Sequence, residues 1–167
     1  MLYNFIKSII TLGYYMTFLK TTAIAMLTLS MALTAHAHVT VRNFANGVDS
    51  LSGKSDSFRL NVPTNRHKAI TQVEFVVADD VKLLFIHPVP NWTYTTTKRA
   101  NGDIDKVIYT GRMEAGEFTS FPFIAKNPAK GDITVKYKAY ITYEDGVVVP
   151  FDGSADAHGY QPTILLK

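Results

Sequence analysis

The longest regular pattern in this chain is the alternation of apolar and polar residues from Ile133 to Tyr143. Apolar or aromatic side chains stand at every second position, with threonine, lysine and tyrosine between them. A period of two puts the apolar groups on one face of an extended strand. The pattern therefore predicts a half-buried antiparallel strand. The Asp145-Gly146 pair that follows predicts a hairpin back onto Val147–Phe151.

Shorter alternating runs fill the region before this strand. Their apolar members are Val39 and Val41; Phe58, Leu60 and Val62; and Val73, Phe75 and Val77. Asn46-Gly47 and Asn101-Gly102 are typical of tight turns. Pro122 lies inside the apolar run Phe118–Ala125, where the missing N–H predicts a bulge or an edge position. No segment has a sustained helical period, so about nine short strands predict an all-β antiparallel sandwich.

The first 37 residues have the features of a secretory signal rather than of the fold. Lys20 precedes an apolar run from Thr21 to Leu33, and Ala35-His36-Ala37 offers small residues at a cleavage site. Met16 opens a signal of ordinary length and is our predicted true start. The alternative is a membrane anchor that stays attached to the protein. Cleavage leaves residues 38–167 as one domain, with His38 at its N-terminus.

Charge and cysteine content exclude several classes of function. Lys7 and Lys20 belong to the leader, so 15 of the 17 basic side chains remain against 14 acidic ones. That balance does not indicate a nucleic-acid partner. The absence of cysteine excludes disulfides and thiolate metal sites, including blue-copper centres. No second apolar span follows the leader, so we expect a periplasmic or secreted protein with no membrane span after cleavage.

An N-terminal His38 is the strongest candidate for chemistry. Its α-amine and its imidazole would offer two nitrogens from one residue, and copper(II) binds nitrogen donors most tightly among the divalent first-row metals. Val39 and Val41 are expected on the buried face of their strand, so His38 is expected on the other face. The alternative is that a histidine follows the cleavage site by chance.

Several segments share the order and composition of a known family. They are His38-Val39-Thr40-Val41-Arg42, Phe58-x-Leu60-x-Val62-Pro63-x-Asn65, Pro88-Val89-Pro90-Asn91-Trp92, Gly116-Glu117-Phe118-x-x-Phe121-x-Phe123-x-Ala125-Lys126-Asn127-Pro128, and Tyr140-x-Thr142-Tyr143-x-Asp145-Gly146-x-Val148-Val149. Together they resemble the YcnI-like domain, a copper-binding family of exported bacterial proteins. The resemblance covers almost all of the chain after the leader.

The resemblance implies an immunoglobulin-like or cupredoxin-like antiparallel β-sandwich that holds copper(II) at His38. A carboxylate completes the site in the family, and Glu117 is our choice because it lies in the best-matched segment. The family's tryptophan after the late hairpin is replaced here by Phe151, and Phe151 with Trp92 is the predicted wall of the site. Asn91 stands where glycine is usual, a mild change because asparagine tolerates positive φ. A membrane copper transporter or a copper chaperone is the expected partner.

Two other functions stay open from the sequence. One is a metal-free structural or adhesive module, which the loss of the tryptophan favours. The other is a copper monooxygenase, which would need a second histidine to complete its brace. His67, His87 and His158 fall in predicted loops without ligand spacing, so we interpret them as surface residues. No hydrolase motif is present, and the sequence therefore predicts a copper-binding protein rather than an enzyme.

Overall fold

The computed structural model describes residues 38–64, 66–154 and 160–167. These ranges contain strands and turns and no helix. The strands are β1 (Thr40–Asn43), β2 (Asp49–Ser50), β3 (Ser55–Pro63), β4 (Ile70–Val76), β5 (Lys82–Ile86), β6 (Thr93–Lys98), β7 (Ile104–Met113), β8 (Phe118–Lys126), β9 (Ile133–Lys136), β10 (Lys138–Tyr143), β11 (Val148–Phe151) and β12 (Thr163–Leu166). The predicted leader and His158 lie outside the described residues.

The strands form three sheets. One has the order β1-β3-β8-β5, the second β11-β10-β4-β7-β6, and the third β2-β12-β9. Every pair is antiparallel except β2 with β12. The all-β sandwich predicted from the alternating runs is confirmed. Among the residues that the structure describes, no helix is long and apolar enough to cross a membrane.

The core lies between the two larger sheets and is rich in stacked aromatic rings. The Phe123 ring is 5.5 Å from that of Phe58 and 5.0 Å from that of Phe75, which in turn is 5.4 Å from Tyr137. Each fully buried side chain of this size stabilises the fold by about 1.5–3 kcal/mol. The inward positions of the shorter alternating runs, from Val39 to Val77, are all buried, and Ile133 at the start of the longest run is partly buried.

The run from Ile133 to Tyr143 is divided between two sheets. β9 pairs with β12, whereas β10 pairs with β4 and β11. Between them, the backbone N–H of Tyr137 donates to the carbonyl of Pro162 at 2.8 Å. The alternation itself is confirmed, because Val135, Tyr137 and Ala139 are buried. The prediction of a single strand was wrong, because a period of two shows which face is buried and not which strands are neighbours.

Pro122 occupies an edge-like position. β8 pairs with β3 along its full length without a register shift, so β8 has no bulge against β3. The Pro122 carbonyl accepts a hydrogen bond from the His87 N–H at 3.0 Å, just beyond the end of β5. The N and C=O of one strand residue point to the same side, so the missing N–H faces the side on which β5 has ended. The register shift in this region lies in β5, between Leu83 and Phe85.

Candidate metal site

His38 lies immediately before β1, at the edge of the four-stranded sheet. Its side chain is exposed, while the next residue, Val39, is 1% exposed. The imidazole meets the ring of Tyr160 edge to face, with centroids 5.4 Å apart and an interplanar angle of 73°. Both rings border a depression of about 150 Å³, which Arg42 and Gln161 also line. The predicted orientation of His38 away from the core is confirmed.

The donor atoms available at His38 fit a centre built on one histidine. Within the described ranges, neither imidazole nitrogen has a hydrogen-bond partner, so no described protein group competes with a metal for them. In the uncleaved chain the backbone nitrogen is part of the peptide bond to Ala37, and cleavage would free it as an amine. No cluster of three or more His, Cys, Asp or Glu side chains suited to a metal occurs in this part of the chain.

Glu117 lies at the same end of the sheet as His38, two strands away. Thr40 of β1 pairs with Asn61 of β3, and Pro63 of β3 pairs with Phe118 of β8. Two strand spacings correspond to about 10 Å. The Glu117 carboxylate accepts a hydrogen bond from the Glu114 N–H at 2.7 Å, within the turn that joins β7 to β8. The structure does not join Glu117 to His38, and its role as a ligand stays a prediction.

Other carboxylates near this turn are held by an arginine. Arg112 donates to Glu114 at 2.5 Å and to Glu144 at 2.9 Å. The hydrogen bond from Arg112 is the main reason that the pKa of Glu144 lies below its ordinary value. Both carboxylates already form ion pairs with Arg112, whereas Glu117 has no ion pair among the described residues and is the more available oxygen donor.

Trp92 lies in the turn between β5 and β6 and packs against β7 and β8. The backbone N–H of Trp92 donates to the Val89 carbonyl at 3.1 Å. Asn91 has a φ of 64°, which confirms that asparagine takes the left-handed conformation expected there. The indole is 5.1 Å from the Phe121 ring and lies against Gly111, where an added Cβ would be 2.5 Å from the indole. This contact explains the glycine, and Trp92 does not line the depression beside His38.

Residues 38–163 match the family described as Domain of unknown function (DUF1775). The chain belongs to this family. Copper-binding protein CutI of Bacillus subtilis (strain 168) is 30% identical over 125 residues, which cover 74% of this chain and 59% of CutI. The resemblance to the YcnI-like family is thereby confirmed, and the matched region spans 59% of the length of that relative.

A solved structure supports the same fold for this DUF1775 member. The crystal structure of an uncharacterized protein from Nocardia farcinica, reported to have an immunoglobulin-like fold, superposes with a TM-score of 0.62 at 25% identity. The alignment covers 77% of this chain and 97% of the other. The immunoglobulin-like alternative for the sandwich is therefore confirmed.

The aromatic ring that touches His38 in this DUF1775 domain is Tyr160, which sequence reasoning did not identify. Phe151, the predicted wall residue, is 3% exposed and belongs to the core. It pairs with Ala139, and the chain beyond it folds so that Gly153 lies against Gln161. Phe151 does not line the depression. The wall roles of Phe151 and Trp92 stay predictions, since the structure shows neither in contact with His38.

The other histidines in the described part of the domain are surface residues, as expected. His67 and His87 are both exposed. Nδ1 of His87 lies 3.3 Å from the carbonyl oxygen of Pro88, beyond the end of β5. Neither histidine lines the depression beside His38.

Proposed function

We propose that this protein is exported and binds copper(II) through His38, in order to buffer the metal or to deliver it. The observation that carries the proposal is the exposed His38 imidazole, whose nitrogens have no hydrogen-bond partner among the described residues. Two further facts support it. The match to the DUF1775 family begins at His38, where the predicted leader ends, and CutI bears the name of a copper-binding protein.

The chemistry follows from having two nitrogens on one residue. The freed α-amine and the imidazole close a chelate ring around a single ion, and both donors suit copper(II). The amine has a reference pKa of about 7.7–8.0 and must lose its proton before it binds, so copper affinity falls as the pH falls. Glu117 would add an oxygen ligand if it released the Glu114 N–H.

Binding and transfer fit this site better than catalysis. Of the described histidines, only His38 lines the depression, so His67 and His87 do not form a two-histidine brace with it. The depression is open, and His38 is the histidine that borders it in the described part of the chain. An open site with few protein ligands favours exchange of the ion with a partner, for which we propose a membrane copper transporter or a copper chaperone. The periplasm or the extracellular space is the compartment that the leader implies.

The experiment is a copper(II) titration of the protein that cells export when they express the full chain. Intact mass first establishes that His38 is the N-terminus, and competition with a chromophoric chelator then gives the affinity. We expect one ion to bind, with binding lost in His38→Ala. One alanine added before His38 moves the amine away and should weaken binding as strongly. His87→Ala, which changes an exposed histidine elsewhere, is the matched control and should bind as the unmodified protein does.

Unchanged copper binding in His38→Ala would contradict the proposed site. Absence of copper binding in a correctly cleaved protein would contradict the proposed function and would favour a metal-free structural or adhesive module.

A further inference from the structure

The outer face of the four-stranded sheet carries a row of exposed aromatic and aliphatic side chains. Phe44 and Phe85 are 66% and 67% exposed, and Ile124 lies between them at 36%. Phe44 follows β1 and its N–H bonds to the Ser57 carbonyl, while Phe85 pairs with Ile124. The three side chains line one shallow groove of about 120 Å³. Apolar groups this exposed, placed side by side, are typical of a contact surface.

Cations lie on both sides of this row. On one side, Arg42 of β1 lies two residues before Phe44 and pairs directly with Arg59 of β3. On the other side, Lys126 lies two residues beyond Ile124, on the same face of β8. Arg59 donates to the Asn46 side chain at 3.0 Å. Across the described residues, none of these three cations has a carboxylate partner. We call the six residues the aromatic face: Phe44, Phe85, Ile124, Arg42, Arg59 and Lys126.

The aromatic face also lacks negative charge. The only acidic residue in the four strands is Asp56. Its carboxylate accepts hydrogen bonds from the Ser50 hydroxyl at 2.6 Å and from the Ser57 N–H at 2.7 Å. The aromatic face is thus apolar at its centre and positive at its borders, and none of its own residues carries a negative charge.

We propose that the aromatic face docks on an anionic phospholipid membrane. Phenylalanine side chains enter the boundary between headgroups and acyl chains, and arginine or lysine beside them bind the lipid phosphates. A bilayer offers both an apolar layer and anionic phosphates over a broad surface. Such a surface fits the flat face of a sheet better than it fits a cleft. A second copy of the chain fits poorly, because a symmetric contact would bring the same unpaired cations together.

Docking in this way has a consequence for His38. His38 stands two residues before Thr40 and four before Arg42, so its side chain has the same parity as those outward residues. The histidine therefore lies at the far end of the docked surface. The proposal does not depend on copper, and its test is run without added metal, so that its failure is separate from a failure of the copper site.

The test is co-sedimentation of the exported protein with large vesicles, after intact mass has shown that the apolar leader is absent. One set contains phosphatidylglycerol and phosphatidylcholine in equal parts, and the other contains phosphatidylcholine alone. We expect binding to the first set, weakened by added salt as charge screening requires. Replacing both arginines, in Arg42→Gln with Arg59→Gln, should weaken it by about 30-fold, since each cation near an anionic surface contributes about a tenfold effect or less.

The apolar part of the face is tested by Phe44→Ser combined with Phe85→Ser, which should weaken binding by more than about 10-fold. Val148→Ser and Lys138→Gln are the matched controls, because Val148 is 52% exposed and Lys138 is exposed on the other large sheet. Both controls should bind as the unmodified protein does. Thermal unfolding confirms that each variant is folded. If the double phenylalanine variant does not fold, Phe85→Ser alone is tested in its place.

Several results would overturn the proposal. They are absence of binding to anionic vesicles, equal binding to both vesicle types, and unchanged binding in the arginine or phenylalanine variants. Self-association that disappears in the phenylalanine variants, without vesicle binding, would assign the face to a second copy instead. Binding to polyglutamate without binding to vesicles would assign it to an acidic polypeptide.

Discussion

Removing the Tyr160 ring tests how the candidate site holds its histidine. The ring meets the His38 imidazole at 5.4 Å and 73°, within the range at which edge-to-face pairs are favourable. Such pairs are worth about 0.5–1.5 kcal/mol beyond the area that they bury. Without the ring, the imidazole regains rotamer freedom and must lose it again when copper binds. Tyr160→Ala is therefore expected to weaken copper(II) binding.

The size of this effect follows from the contact and its exposure. The full range of the pair energy corresponds to about a 2- to 12-fold change in Kd, at about 1.4 kcal/mol per factor of ten. Tyr160 is 80% exposed, so solvent already competes for the ring. We therefore expect the lower part of that range, about 2- to 4-fold. Tyr160→Phe keeps the ring and should bind copper as the unmodified protein does.

The assay is chelator competition on exported protein with a verified N-terminus. Equal affinities for Tyr160→Ala and the unmodified protein would refute the ordering role of the ring. A loss far above 12-fold that also occurs in Tyr160→Phe would show that the phenol oxygen is itself a ligand, which would equally refute the reasoning.

Three further predictions concern the core that supports the site. Phe151→Ala should lower the free energy of unfolding by about 3–5 kcal/mol in denaturant titration, because the ring is buried; a loss below 1 kcal/mol would contradict its place in the core. Gly111→Ala should cost about 1–3 kcal/mol and shift the fluorescence of Trp92, the only tryptophan, because the new Cβ would overlap the indole; unchanged fluorescence would contradict that packing. Tyr137→Phe should raise stability by about 1 kcal/mol at neutral pH, because the buried hydroxyl has no hydrogen-bond partner among the described residues. Burial raises the pKa of Tyr137 above its ordinary value of 10, so the folded state keeps a proton that the unfolded state loses. Stability should therefore fall as the pH rises above 10, and fall less steeply in Tyr137→Phe, in urea titrations at increasing pH.

The sequence was sufficient to predict which face of each strand is buried and to predict the fold class. Buried Val39 and Val41 and exposed His38 follow from a period of two, because side chains alternate across any extended strand. The division at Tyr137 could not be predicted in this way, since a residue that leaves one sheet and enters another keeps its alternation. Partner strands depend on contacts that are distant in the sequence.

The same reason explains what was missed at the candidate site. Tyr160 is far from His38 in the sequence, and no alternation or motif marks the residues before β12. Its contact with the imidazole depends on how the chain returns after β11, where Gly153 lies against Gln161. Glu117 was chosen from a family segment, and a motif shows which residue is present but not that its carboxylate bonds to the Glu114 N–H in its own turn.

Electron paramagnetic resonance of the exported protein with one equivalent of copper(II) tests the central claim most directly. His38 must first be shown by intact mass to be the N-terminal residue. The account predicts a copper(II) signal with nitrogen hyperfine structure that disappears in His38→Ala and persists in His87→Ala. The same copper(II) signal in His38→Ala, or no protein-bound copper in the correctly cleaved protein, would contradict it.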